Sequence, residues 1–357
     1  MRTKEKKFLI IIVIILLYII FNPYLGKKFV NSKIDRNSPW YVNDLYMSDQ
    51  YYYETILSDS EKELYAQLFK DFNAMKTEIS VNADEISMNR VIDAIQLDHP
   101  EMINLTTYSY IYSSNGIVLK PKYITKSTFK LNRMISKIQK NITKIEKATR
   151  KMSEYEKEKY IYEWMGKNNR YRKDNFRNSD QSAYTALVKS KNTVCAGFGK
   201  GSQILFQNVG LESYILLSDN HIWNLVKIEG DYYYYDATNT YVPNCYKTVS
   251  YSGLNTDYYS DPRYGILHPA NLPFPNGTKY LYYIYNRLIV NDIHDLEKII
   301  SETDKKREFI EFKMVNKDMD AYFSLVKNNQ NKLENLGLSV SSAVWLGNGI
   351  GRIERHF

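Results

Sequence analysis

Residues Asn192–Gly210 read NTVCAGFGKGSQILFQNVG, and the fold turns on this stretch. Asn192 or Thr193 can cap a helix whose first turn contains Cys195. Phe198, Leu205, Phe206 and Val209 then face inward, and Gly210 supplies a stop. A thiol in the first turn feels the positive end of the helix dipole, which favours the thiolate that a nucleophile needs. Gly197, Gly199 and Gly201 each weaken a helix by about 1 kcal/mol against Ala, so close backbone approach is the reason to keep them. GFGKGS is not a phosphate loop, because Lys200 is followed by Gly201 and not by Ser or Thr. A cysteine by itself is more often an inert buried thiol than a nucleophile, so Cys195 needs partners.

Asn220–Thr238, NHIWNLVKIEGDYYYYDAT, supplies them. The pattern is a hairpin: His221–Ile228, a Glu229-Gly230 turn, then Asp231–Thr238. A two-residue turn sets Ile228 opposite Asp231. His221, Trp223 and Asp236 then share one face, with Asp236 diagonal to His221 and within side-chain reach. A three-residue turn would send Asp236 to the other face. Alone, His221 would be structural and Trp223 a core aromatic. A helix-start thiol followed by a strand His and a strand Asp is the set used in thiol acyl transfer.

Met152–Tyr241 resembles the transglutaminase-like superfamily, the papain-related fold of bacterial cell-surface proteins. Four motifs match in order. Met152–Lys157 with the helix through Asn168 resembles the lead-in. Ser182-Ala-Tyr184-Thr-Ala-Leu187 and Val194-Cys195-Ala-Gly197-Phe198 resemble the nucleophile segment. His221-Ile-Trp223-Asn224 and Asp236-Ala-Thr238 resemble the His and Asp strands, with spacings of 26 and 15 residues. Leu57–Tyr123 is also similar to the amino-terminal region of Gram-positive members. Ala196 stands where relatives often carry Glu, and Tyr233 or Tyr234 where a Trp is common.

The resemblance implies an α+β fold: a papain/transglutaminase-like core with the Cys helix packed on an antiparallel sheet carrying His and Asp. It implies Cys195 as nucleophile, His221 as general base and acid, and Asp236 as orienter of the imidazole. Attack on a protein or peptide amide would give a thioester. Water would complete hydrolysis, and an amine would complete cross-linking; peptidase or amidase chemistry leads, since many prokaryotic members resemble proteases. The Cys195 backbone N–H would be one oxyanion donor. Gln181, Tyr184 and Trp223 are candidates for the second donor or for substrate contact. The alternative is a surface adhesion or scaffold module with an idle triad. Cys245 bears on that choice, because a Cys195–Cys245 disulfide would silence the thiol. Both are expected reduced, since Cys245 follows the hairpin in a loop. No metal or organic cofactor is expected, and Asp318 and Asp320 read as solvated surface.

The flanks read more coarsely. At 357 residues and 44% hydrophobic content the chain can bury a core, which excludes wholesale disorder. Two cysteines exclude a disulfide-stapled scaffold and a Cys₄ zinc site. The expected division is 1–36, 37–125, 126–250 and 251–357. In the second part, helices are expected at Ser60–Lys76, with Ser58 or Ser60 as cap, and at Ser87–Gln96, then a strand pair at Ile103–Tyr112 and Ile117–Tyr123. Helices at Ser127–Lys147 and Ser153–Asn168 follow. Beyond the core come a loop-rich stretch to Pro275, a strand at Tyr280–Val290 and a helix at Asp292–Glu302. A strand at Glu308–Val315, a helix at Met319–Leu336 and a terminal hairpin close a small α/β unit.

The net charge of +8 invites a nucleic-acid reading, but it is uneven. Residues 1–36 carry +6, 37–119 carry −9, 120–173 carry +12 and 174–357 carry −1. The +12 block reads as a solvated helix face lying against the acidic part, ahead of a surface for anionic wall polymer or lipid. Nucleic acid is not an expected partner; a protein or peptide, including cell-wall peptide, is. Phe8–Phe21 is fourteen unbroken apolar residues between basic flanks, and through Leu25 it spans about 27 Å as a helix. That suggests a single-pass anchor at residues 8–25 with the rest outside the cytoplasm. A cleaved signal peptide is the rival, disfavoured by the lack of small residues before Gly26. The 33 tyrosines suggest either a binding cleft or an AT-rich coding sequence, and the second is favoured.

Overall fold

The computed structural model describes residues 41–45, 52–114, 116–189, 192–218, 220–243, 245, 247–257, 272–316 and 318–356. The chain divides into Met1–Tyr46 and Met47–Phe357. In the first unit the Tyr41 hydroxyl donates to Asp44 at 2.7 Å. The single-pass membrane anchor expected at Phe8–Leu25 is corrected: among the described residues no helix is long and apolar enough to cross a membrane. Phe8–Leu25 itself lies outside the described residues.

The second unit opens with α1 (Tyr52–Thr55), α2 (Asp59–Asn73), β1 (Ile79–Val81) and α3 (Glu85–Asp98). Strands β2 (Leu105–Ser113) and β3 (Gly116–Tyr123) follow. Ser58 caps α2 in a reciprocal box with Glu61, so two orphan backbone donors are satisfied. Leu64, Leu68 and Phe72 recur every four residues and bury one stripe. The sheet order is β1-β3-β2, all antiparallel, with β1 an unforeseen third strand.

Next come α4 (Thr128–Thr149), capped by Ser127, and α5 (Glu154–Asn168), opened by a Ser153–Glu156 capping box. Strand β4 (Arg170–Tyr171) pairs in parallel with β5 (Asn192–Thr193). Helix α6 is Cys195–Val209. It packs on the antiparallel sheet β6-β7-β8-β9, formed by Ser213–Leu217, Ile222–Ile228, Asp231–Tyr235 and Leu254–Thr256. The fold is therefore α+β, with the layout expected of a papain- or transglutaminase-like core. The basic block meets the acidic segment at its start, where Lys120 pairs with Glu78 at 3.3 Å. The apolar stripe of α4 (Ile135, Ile138, Ile142 and Ile145) packs mainly on α5, α6 and the Thr185–Lys189 turn.

The chain ends in α7 (Tyr282–Tyr285), β10 (Ile289–Val290), α8 (Ile293–Glu302), β11 (Phe309–Met314) and α9 (Met319–Asn328). Helix α10 (Gln330–Asn335) and strands β12 (Leu338–Gly347) and β13 (Ile350–Arg355) complete it. The sheet order β10-β11-β13-β12 has one parallel pair, β10 with β11. Its core includes Val290, Leu296, Phe312, Tyr322 and Ile353. Two expectations fail here. Tyr280–Val290 is not one strand but α7 and the two-residue β10, because its tyrosines turn inward to stack. Tyr280 lies on Tyr155 at 4.8 Å and Tyr282 on Tyr251 at 4.2 Å. The expected helix Met319–Leu336 is interrupted at Asn329, which leaves helical geometry at φ −116° and ψ 22°. Asp318 is exposed as read, and its carboxylate caps α9 by accepting from the N–H of Asp320.

The tyrosines form much of the packing between parts. Tyr162 meets Tyr235 edge-on at 5.3 Å and stacks on Tyr251 at 5.9 Å. Residues 232–235 and 282–283 are thus mainly interior mortar and not the lining of an open cleft; Tyr233, Tyr234, Tyr235, Tyr282 and Tyr283 are buried.

Candidate active site

Cys195 is the first residue of α6, preceded by an extended Val194. The expected cap is not made by Thr193: its hydroxyl donates instead to the Asp180 carbonyl at 2.9 Å. Val194 itself brings no side-chain cap. Ala196 through Gln207 are all buried, so α6 has no solvent face over that length.

The glycines explain how a helix fits there. A Cβ on Gly197 would overlap the Thr193 hydroxyl and stand 2.7 Å from the Asp180 carbonyl. One on Gly199 would meet Ile222 Cγ2 at 2.8 Å, and one on Gly201 would press on Ala186 at 3.1 Å. Gly197 is met by the Thr193 hydroxyl and by backbone carbonyls, and Gly199 and Gly201 first by side chains. Gly199 lets the strand that follows His221 lie directly on the helix that begins at Cys195. Asn224 completes the join: its amide donates to the Gly199 carbonyl at 3.1 Å and to Gln203 at 3.2 Å.

The hairpin has the two-residue turn. Ile228 faces Asp231 and Asn224 faces Tyr235. Glu229 and Gly230 both take positive φ, 51° and 98°, as a turn matched to strand twist requires. Pairing frays just beyond, leaving His221 before β7 and Asp236 after β8. Asp236 is held from the other side, its N–H donating to the Gly253 carbonyl at 2.7 Å. One carboxylate oxygen accepts the Thr238 N–H at 2.9 Å, and the other meets His221 Nε2 at 2.7 Å.

The structure therefore joins His221 and Asp236, with Nδ1 of the ring left for the thiol side. Burial draws the imidazolium pKa down, but the Asp236 charge and hydrogen bond, with a further hydrogen bond to Cys195, overcome this and raise it to about 10. The ring is thus cationic at neutral pH. Trp223 is fully buried and stacks on His221, centroids 5.7 Å apart and planes 18° apart, which fixes the ring plane. Cys195 is half-buried and Cys245 is buried; both are free thiols.

Gln181 ends a short 3₁₀ turn, Asn178–Gln181, whose Asp180 carbonyl covers Gly197. Tyr184 is buried, and the charge near its hydroxyl is that of Arg133, which partly offsets the rise that burial causes. Trp223 backs the His221 ring. Two residues near the thiol escaped sequence reasoning. Tyr171 is half-buried beside β5, and Lys200 is buried in α6 with its ammonium donating to Gln96 at 2.9 Å. Lys200 borders a cavity with room for about one water, shared with His99 and Ser182. Burial pushes its pKa down to about 8 against the pull of Asp93. A two-residue strand and a lysine in a glycine-rich run carry no local signal of such places. Among the described residues no group of three His, Cys, Asp or Glu side chains is arranged to hold a metal ion.

No family model matches the chain, and no curated protein matches it in sequence. Among solved structures it is similar to a transglutaminase, at 15% identity and a TM-score of 0.29, over 46% of this chain and 50% of that one. It is also similar to a candidate cysteine protease from Cytophaga hutchinsonii, at 15% identity and a TM-score of 0.25, over 42% of this chain and 64% of that one. The chain thus matches less than two thirds of the length of either. At TM-scores of that size, what the site can do is read from this chain's own geometry.

Proposed function

We propose that the chain is a thiol acyl-transfer enzyme that acts on protein or peptide amides, with hydrolysis ahead of amine transfer. The observation that carries this is the 2.7 Å pairing of His221 Nε2 with Asp236, beside a cysteine that starts a helix. Cys195 attacks the amide carbonyl as a thiolate, and the C=O electron pair moves to oxygen. The backbone N–H of Cys195 receives that charge. Collapse expels the amine, which takes its proton from the His221 imidazolium and leaves a thioester. A water, deprotonated by the now neutral His221, releases the acid; an amine in its place gives the cross-linked product. Asp236 keeps the ring oriented and stabilises its charged form throughout. Hydrolysis is placed first by the similarity of the motifs to those of protease-like bacterial members.

The test is alkylation of the native protein by iodoacetamide. Cys195 should react faster than it does in urea-denatured protein, and Cys195→Ala should abolish that fast phase. Turnover needs a proton on His221, whose pKa is raised, so the competent form is present below about 10 and is lost as pH rises through it. Asp236→Asn should move that basic limb down. A native thiol no more reactive than the denatured one removes the assignment and leaves a binding module.

A further inference from the structure

We propose that the Tyr171 hydroxyl is the second oxyanion donor of this site, a role that rests on the acyl-transfer chemistry above. The β4–β5 pair sets where Tyr171 lies. Tyr171 lies directly opposite Thr193, and the Arg172 N–H donates to the Thr193 carbonyl at 2.8 Å, which locks the register. Neighbouring strands run about 4.8 Å apart, and residues directly opposite each other point to the same face. The face is given by Thr193, whose hydroxyl donates to Asp180 and sits where a Gly197 side chain would be. That is the first turn of α6, with Cys195 two residues on from Thr193. The Tyr171 ring is therefore directed at the turn that holds the nucleophile, and it is half-buried, so one edge stays open to a substrate.

Electrostatics agree with this placement. Burial raises the Tyr171 pKa, and the negative charges of Cys195 and Asp236 raise it further. The hydroxyl thus lies in the field of both ends of the triad and remains a protonated donor at neutral pH. Tyr184 feels Arg133 instead, and Trp223 is committed to the back of the His221 ring. When the Cys195 sulfur bonds to the carbonyl carbon, the displaced pair localises on oxygen. The Tyr171 O–H then donates a hydrogen bond to that oxygen, together with the Cys195 N–H. No proton is transferred, and both bonds are given up when the leaving group departs.

Tyr171→Phe removes the hydroxyl alone, and two probes separate its effects. Acylation by p-nitrophenyl acetate builds an oxyanion, whereas alkylation by iodoacetamide displaces iodide at a saturated carbon and builds none. Ester turnover at Cys195 should fall about tenfold or more, with alkylation within twofold of wild type. Tyr184→Phe should change neither, and Tyr171→Met is the second variant should Phe disturb the strand pair. Unchanged ester turnover in both Tyr171 variants, or an equal fall in turnover and alkylation, overturns the role of Tyr171 while the acyl-transfer assignment stands. Wild-type turnover no faster than that of Cys195→Ala removes that assignment and this one with it.

Discussion

Helices α4 and α6 are 22 and 15 residues long and pack on each other, yet they are built by opposite rules. Helix α4 is amphipathic: one isoleucine stripe is buried, and Lys137, Lys140 and Lys144 lie on exposed positions. Its stability comes from apolar burial along one side, and most of its surface is free to vary. Helix α6 is enclosed from Ala196 to Gln207 and holds three glycines where helix propensity would prefer alanine. There, contacts at single atoms decide what is allowed. A helix enclosed on nearly all sides is gripped by its neighbours, and the glycines are where the grip is closest. Helix α5 stands between the two: its pattern is charged, but Glu158 is wholly buried.

Glu158 should produce the largest departure from the behaviour of a solvated helix. Burial pushes its pKa up to about 8 from 4.5, with only the Asn255 amide pulling the other way. Its Oε1 has no hydrogen-bond partner among the described residues. A raised folded-state pKa means the favourable contribution is present below 4.5 and is lost as pH rises through 8. Glu158→Gln, neutral at every pH, should match wild type near pH 5 and exceed it by roughly 3–5 kcal/mol near pH 9. Urea unfolding at the two pH values measures this; parallel pH dependence in the two proteins would show that the carboxyl is not buried as described. Gly197→Ala comes next. In an ordinary helix it would stabilise by up to about 1 kcal/mol, but here overlap with Thr193 and Asp180 should cost about 2–3 kcal/mol. A gain in the denaturation midpoint would break the contrast between α6 and α4. The smallest effect belongs to Lys140→Ala on α4, within about 0.5 kcal/mol of wild type by the same measurement.

Much of this was readable in the chain because the signals are local. Ser58, Ser127 and Ser153 cap the helices they precede, Gly210 ends α6 in a left-handed conformation at φ 81°, and Glu229-Gly230 sets the hairpin register. That register brings His221 to Asp236. What was not readable depends on distant partners. Strands β1, β4 and β5 have two or three residues each and exist because another segment pairs with them. Tyr280–Val290 has strand propensity in every residue type that counts, and stacking on Tyr155 and Tyr251 overrides it. Glu158 sits in a run of alternating charge, and only the tertiary fold singles it out for burial. Thr193 is a competent cap by type, but its hydroxyl is already engaged with Asp180.

The hold on Asp236 reaches further than the segment that carries Cys195 and His221. Its N–H binds the Gly253 carbonyl, and a side chain at Gly253 would overlap the Asp236 carbonyl. The Gly253 N–H in turn donates to the Tyr162 hydroxyl at 3.1 Å. Two residues earlier, the Tyr251 N–H donates at 3.0 Å to Glu311, which stands on β11 of the terminal sheet and also accepts from Tyr283. The terminal sheet therefore works as a backstop for the carboxylate that meets the His221 imidazole. A protein cut at residue 250, after the full complement of reactive groups, would keep Cys195, His221 and Asp236 and lose the surface that the last of them leans on. An exchange of the terminal sheet would have to bring its own equivalent of Glu311.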